Sequence, residues 1–379
     1  MRVLGFMSGT SLDAVDMAIL ETDGEAIQAF GPAGERKLTD ATRNLALQAT
    51  EEAKAWARGT PPPAVFEATA RAVADEHYDA ASQFLAANGL QWSDLELVGL
   101  HGQTVLHERP TKERVGRTVQ LADGQRLADR AGVPVAFDFR TADVAAGGEG
   151  APLAPIYHAA WARAAGLEPP SAVLNLGGVA NITLLPRSGQ IAAFDTGPAN
   201  GMIDLLVQGR GHGRYDAEGA LARAGEVDAA VLAGLLAHPY FAAPWPKSLD
   251  RYDFPVSAVD GLSLQDAAAT LVAFTAETVA LGVEQLPEQP RVLVMAGGGR
   301  RNPAIVEALK ARLSCEVASA EDYGWRGDAV EAEAFAYLAA RTWRGLPISF
   351  PGTTGVKQPM TGGRIARPTP SPRHGEGSP

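Results

Sequence analysis

Cys315 is the only cysteine in 379 residues, so no intrachain disulfide can form and a reducing compartment is the economical reading. Long apolar runs are missing too, and none reaches the roughly 18 uninterrupted apolar residues of a spanning helix. A secretory leader is not expected, because the apolar run Val3–Met7 is too short and goes straight into a polar turn. Without secretion the sequon Asn181-Ile182-Thr183 carries no meaning, and a cytoplasmic protein without membrane contact is expected. Basic residues are in the minority, 33 Lys and Arg against 44 Asp and Glu, which gives a net charge of −11 and a pI near 5.2. Proteins that track nucleic acid concentrate Lys and Arg on one face, so this chain is not expected to bind it. A polyanion can be held only locally, by backbone N–H groups, a divalent cation or a few placed cations. No lysine-bearing phosphate loop and no three-glycine dinucleotide fingerprint occurs. His101, His107 and His158 fit no common zinc spacing, which favours core or turn histidines over metal ligands.

What is present describes a globular α/β protein. Apolar residues make up 46% and charged residues 20%, and 379 residues exceed what one core usually holds. Two lobes around a cleft are expected. The chain opens on Val3–Ala18, an apolar strand, a turn of small hydroxyl and glycine residues with one acid, and a second strand. Such a turn leaves N–H groups and hydroxyls uncovered at a sheet end, which suits a phosphate; an ordinary hairpin is the plainer alternative.

Helical spacing follows over Thr39–Arg58 and Val65–Ala87, separated by Pro61-Pro62-Pro63. Leu95–Leu100 reads as a buried strand ending in His101-Gly102-Gln103-Thr104, and Val133–Phe139 as another, with a helix over Gly124–Ala131 between them. The glycine-rich segment Ala145–Pro152 fits a hinge or cleft loop. At Ser171 the opening pattern returns: strand Ala172–Leu176, turn Gly177-Gly178, strand Ala180–Leu185, then Ile191–Phe194. The echo suggests a duplicated fold. Helices are expected near Met202–Gln208, Val227–Leu236 and Leu264–Glu284, the last amphipathic. The strand Arg291–Met295 precedes a helix to Leu313, and a final helix covers Asp328–Thr342.

Gly297, Gly298 and Gly299 follow a strand and precede a helix, where backbone can approach a nucleotide closely; a plain strand-to-helix turn is equally consistent. Asp195 closes an apolar strand before Thr196-Gly197-Pro198-Ala199-Asn200. Its alternative role is a helix cap, but Pro198 suits the first helical turn, which moves the cap to Thr196 or Gly197 and favours Asp195 as a catalytic group. Arg140 and Asp143 share one loop, where a structural ion pair is the common outcome.

Taken together, Gly5–Asp13, His101–Thr104, Asp138-Phe139-Arg140 with Asp143–Gly148, Asn175–Gly178 and Phe194–Pro198 resemble the anhydro-N-acetylmuramic acid kinases, in order and spacing from residue 1 to about residue 362. The resemblance implies two ribonuclease-H-like lobes of the sugar kinase and actin superfamily. Each is a five-stranded mixed sheet with flanking helices, and the two close on ATP and Mg²⁺. It divides the chain into an N-terminal lobe (1–140), a connecting segment (141–170), a C-terminal lobe (171–362) and a disordered tail (363–379).

By the same resemblance, Gly9, Thr10, Ser11, Leu12, Asp13, Ala14, Val15 and Asp16 form the nucleotide loop, with Gly177, Gly178 and Gly297–Gly299 also at the nucleotide. Asp195 matches the general base, and Arg140, Asp143 and Glu331 match sugar contacts. The implied reaction opens the 1,6-anhydro ring with water and phosphorylates the freed 6-oxygen, a step of cell-wall recycling. Partners are then a small sugar and ATP, with a homodimer as a further candidate. A kinase for another amino sugar and an actin-like nucleotide switch are the alternatives. Three places depart from the family pattern. Ala14 replaces a usual glycine and would cost on the order of 1 kcal/mol at a positive φ; Leu249–Tyr252 replaces Thr-Gly-Arg-Glu; and the Pro-rich tail lies outside it.

Overall fold

The computed structural model describes residues 1–9, 12–111, 113–249 and 253–370. Its first sheet is built from β1 (Arg2–Ser8), β2 (Ala14–Thr22), β3 (Ile27–Lys37), β4 (Leu97–Leu100) and, after a two-stranded side sheet of β5 (Gln103–Glu108) and β6 (Arg117–Leu121), β7 (Val135–Phe137). The second sheet contains β8 (Ser171–Leu176), β9 (Val179–Leu185), β10 (Ala192–Pro198), β11 (Val292–Ala296) and β12 (Glu316–Ser319).

Both sheets follow one plan. The order β3-β2-β1-β4-β7 repeats as β10-β9-β8-β11-β12, with the second strand of each set antiparallel to both neighbours and the rest parallel. This is the duplication that the two strand-turn-strand repeats suggest, in the ribonuclease-H-like arrangement that the family resemblance implies. The first sheet gains a sixth strand, β13 (Arg364–Ala366), antiparallel to β7. Residues 364–366 are therefore ordered, contrary to the expected disordered tail; 371–379 lie outside the described residues.

The division at residues 140 and 170 needs a second correction. The helix Val330–Trp343 comes late in the chain yet lies on β1, β2 and β4 of the first sheet. Two glycines allow this approach. A Cβ on Gly5 would meet the Ala332 carbonyl oxygen at 1.9 Å, and one on Gly99 the Phe335 carbonyl oxygen at 2.3 Å. A shared apolar core follows, joining Val3 and Leu97 of the first sheet to Val173 and Val294 of the second through Trp161, Trp325 and Phe335. Trp161 and Trp325 stack with ring centroids 3.9 Å apart. Separate cores fill the outer sides, Leu4, Phe6 and Leu127 in one lobe and Ile182, Phe194 and Val279 in the other.

The helix Leu264–Glu284 is long and apolar enough to span a membrane, but 78% of its apolar window is buried within the protein. It is a core helix and not the amphipathic one expected, since apolar residues all round suit burial on every side. The strand β3 had no counterpart among the expected elements. Most of its residues are exposed or half-buried at the sheet edge, so it lacks the apolar alternation that marks a half-buried strand.

Candidate active site

Side chains alternate faces along a strand, so register decides which ones meet across a sheet. In the second sheet Asn175 of β8 pairs with Asn181 of β9, and Asn181 with Asp195 of β10. These three form a polar row across strands that are otherwise apolar. In the first sheet the same positions, one pair in from the hairpin turn, hold Met7 of β1, Asp16 of β2 and Glu35 of β3. Each lobe therefore presents one row of three, and residues of both rows line the cavities of the cleft.

The larger cavity, about 570 Å³, is lined by Asp16 and Glu35 from the first row, Asn175 from the second, and by Gly177, Gly297 and Gly298. The smaller, about 150 Å³, is lined by Met7, Arg140, Asn181 and Asp195. Asn175, Val330 and Glu331 border both, so the two spaces are neighbours.

Asp195 does not close its strand. β10 runs on to Pro198 with a bulge between Asp195 and Gly197, and the next helix starts at Asn200 with Ala199 at its cap and no side-chain cap bond. Pro198 is thus a strand residue, which overturns its expected place in the helix. The helix start is occupied by the preceding turn: Ala199 and Gly201 N–H groups donate to the Gly178 carbonyl and Asn200 N–H to that of Gly177.

The Asp195 carboxylate accepts from Leu249 N–H at 2.8 Å, and its own N–H donates to the Lys247 carbonyl at 3.0 Å. Burial pushes its pKa up to about 7, against the pull of the Leu249 N–H and of Arg109. A carboxylate so placed exchanges protons near neutrality. Asp16 is also pushed up to about 7, first by burial and then by Glu331, Glu35 and Asp328. Glu331 lines both cavities and is exposed to the open space of the cleft. Its pKa is raised by burial, while Arg140 and the Asn175 amide pull it back. Two residues on, Glu333 turns the other way and is buried against Tyr157, Trp325 and Arg326, which anchors the helix that carries Glu331.

Arg140 and Asp143 do not pair with each other; both hold the glycine loop. Arg140 donates from Nε to His101 Nε2 at 3.2 Å and from Nη1 to the Gly150 carbonyl at 2.7 Å. Asp143 accepts from Gly150 N–H at 2.7 Å and from the Thr354 hydroxyl at 2.6 Å. Arg140 faces the smaller cavity, whereas Asp143 is 2% exposed and supports the loop from behind. The other histidines have internal partners, His107 at Thr118 and His158 at Thr183.

Of the expected nucleotide residues, Asp16, Gly177, Gly297 and Gly298 line the larger cavity. Leu12 and Val15 are buried, and Gly9 accepts from Leu12 N–H and from the Gln103 amide. Asp13 crosses to Arg214 of the other lobe at 3.0 Å. Gly178 and Gly299 do not line the larger cavity: a Cβ on Gly299 would meet Leu176 Cβ at 2.6 Å, and the Gly178 carbonyl accepts from the helix N–H groups. Thr10 and Ser11 lie outside the described residues, as do Asp250, Arg251 and Tyr252 of the departing segment. The concern over Ala14 falls away, because it opens β2 in extended backbone opposite Lys37, and among the described residues of the turn the left-handed one is Leu12, φ 57°. Asn175, Asn181, Glu35 and Leu249 were missed as site residues. The two asparagines inside apolar strands were the available signal, whereas Leu249 acts through its backbone and leaves none.

The fold and this cleft define a two-lobed α/β scaffold with a half-buried carboxylate, Asp195, in the smaller of two neighbouring cavities. The sequence profile of the anhydro-N-acetylmuramic acid kinase family matches residues 1–368, and the chain belongs to that family. Proteins named anhydro-N-acetylmuramic acid kinase from Caulobacter vibrioides and Phenylobacterium zucineum are 68% and 67% identical to it. The alignments cover 96% of this chain and 98% of the first relative, and 97% and 100% for the second. An activator of 2-hydroxyisocaproyl-CoA dehydratase from Clostridium difficile, solved with bound ADPNP, overlaps 91% of this chain and 96% of its own at 15% identity and a TM-score of 0.45. The fold itself is defined by the strand order repeated in the two sheets.

Proposed function

We propose that this kinase opens the 1,6-anhydro ring of anhydro-N-acetylmuramic acid with water and transfers the γ-phosphoryl group of ATP to the freed 6-oxygen, giving N-acetylmuramic acid 6-phosphate and ADP. The observation that carries the reading is Asp195, held by Leu249 N–H and facing a recess of about 150 Å³ that shares Asn175, Val330 and Glu331 with the larger cavity.

In this reading the sugar occupies the smaller space and ATP the larger. Asp195 takes a proton from a water molecule as that water attacks the anomeric carbon, the task of the base in an inverting glycosidase. The bond from the anomeric carbon to the 6-oxygen breaks, and the 6-oxygen takes the phosphoryl group. No second carboxylic acid is then needed to protonate the leaving oxygen. Arg140 offers its guanidinium to the lactyl carboxylate, oriented from behind by His101 and Gly150, with Asp143 fixing the same loop.

Mg²⁺ fits the larger cavity. Asp16, Glu35, Asp328 and Glu331 bring only oxygen donors, and their mutual repulsion helps push Asp16 to about 7, which a hard cation relieves. Among the described residues no three metal-binding side chains converge into a ready-made site, so phosphate oxygens would have to supply further ligands. Asp16 and Glu331 would hold the ion, which supplies charge neutralisation at the phosphate oxygens.

The test is turnover of the anhydro sugar with Mg-ATP, followed by ADP release and product mass, beside N-acetylglucosamine and N-acetylmannosamine as rival acceptors. The anhydro sugar is expected to be the preferred substrate by at least a hundredfold. Equal use of an open amino sugar would move the assignment to a different kinase.

A further inference from the structure

Arg109 follows β5 in the side sheet, which packs through Val105 and Leu121 on Ala49, Ala53 and Phe66 of the first lobe. Its guanidinium reaches the second lobe. Nη1 donates to the Ser248 carbonyl at 2.6 Å, and Nη2 donates to the Asp253 carboxylate. The Ser248 carbonyl and the Leu249 N–H are the two ends of a single peptide plane. That same N–H donates to Asp195 Oδ2 at 2.8 Å. A cation on one lobe therefore grips the oxygen of the peptide whose N–H grips the carboxylate on the other. Successive hydrogen bonds polarise one another in such a chain, so the cation strengthens the bond that favours ionised Asp195.

We propose that Arg109 is a positioning residue that couples the docking of the two lobes to the ionisation of Asp195, through the Ser248–Leu249 peptide. The inference rests on Asp195 being the base. It adds a reason for the base to be competent only when the first lobe's side sheet is seated on the second.

The other groups around Asp195 bear on the sign. Glu149, held by the Ser248 hydroxyl at 2.8 Å, opposes ionisation, and Arg140 favours it. Tyr240 donates its hydroxyl to the Asp195 carbonyl and does not compete for the carboxylate. Lys247 is directed to the carbonyls of Tyr240, Phe241 and Ala243 and the side chain of Gln285. Asn181 lies across on β9, and Glu331 faces the same cavity. Arg109 exceeds Arg140 in holding Asp195 down, and it also acts through the peptide that holds the carboxylate.

The experiment is the pH profile of kcat/KM for anhydro-N-acetylmuramic acid at saturating Mg-ATP, in the full chain and in R109Q, R109K and D195N. In R109Q the acid limb is expected to move up by about one pH unit, so activity falls about tenfold at pH 6 yet stays within about twofold at pH 8.5. R109K keeps the charge but cannot fork between Ser248 and Asp253, and is expected to lose about threefold at pH 6. Should R109Q fail to fold by circular dichroism, R109K against the parent decides. An unmoved limb, or a loss equal at every pH, overturns the role of Arg109. Collapse of D195N beside an unmoved R109Q limb rejects this proposal alone, whereas full turnover by D195N rejects the base assignment and this inference with it.

Discussion

Two rows of side chains occupy the same register in the two lobes and have opposite surroundings. Met7, Asp16 and Glu35 face the larger cavity and cleft with two acids beside a thioether. Asn175, Asn181 and Asp195 face the cleft with one acid beside two amides. Burial raises both Asp16 and Asp195 to about 7, so desolvation alone does not separate them. Their neighbours do. Asp16 is surrounded by further carboxylates and gains from a cation, while Asp195 is supported by an N–H and two arginines and remains free to take a proton. A duplicated scaffold thus offers two equivalent places for an acid, and under the proposed function the adjoining residues fit one for a cation ligand and the other for a base.

The largest effect is expected from making the second row wholly amide. D195N should lower turnover by about a thousandfold while leaving ATP affinity, by calorimetry, within about twofold. D16N, the matching change in the first row, should instead raise the Mg²⁺ concentration needed for half-maximal rate by about 10–100-fold, with the rate recovering in excess Mg²⁺. If both variants failed in the same way, the two rows would not differ in role.

The pH profile sharpens the contrast. A base with its pKa raised to about 7 is protonated below that value, so kcat/KM should fall about tenfold per pH unit below about 7 and level off above it. The first row should respond differently: E35Q removes one of the acids that hold Asp16 up, lowers the Asp16 pKa, and should reduce the protons released on Mg-ATP binding at pH 6.5. Calorimetry in buffers of different ionisation enthalpy reads that release.

The packing of the two lobes differs as well. G5A drives a methyl into helix backbone at Ala332, while G197A meets the Thr278 side chain, so the first should cost about 3 kcal/mol in urea unfolding and the second about 1–2.

The apolar strands β1, β8 and β11 and the glycine turns were legible because burial on both faces leaves a continuous apolar run. So was the repeat, since the same strand-turn-strand order recurs at Ser171. The edge strand β3 was hidden by its exposure, and β13 by a Pro-rich and charged setting that resembles an unfolded tail until it meets β7. The Asp195 strand was cut short because Pro198 suits a first helical turn as well as a strand end, whereas the bulge keeps Gly197 and Pro198 in the strand. Arg109 could not be read at all, because its partner Ser248 is 139 residues away and offers only a carbonyl.

The central claim is that Asp195 directs water to the anomeric carbon while phosphate goes to the 6-oxygen. Turnover of anhydro-N-acetylmuramic acid with Mg-ATP in ¹⁸O-water, followed by mass spectrometry of the product fragments, tests it most directly. One ¹⁸O at the anomeric position, with an unlabelled phosphate on the 6-oxygen, is the predicted result. A phosphorylated product that keeps its anhydro ring, or ¹⁸O found in the phosphate, would contradict it.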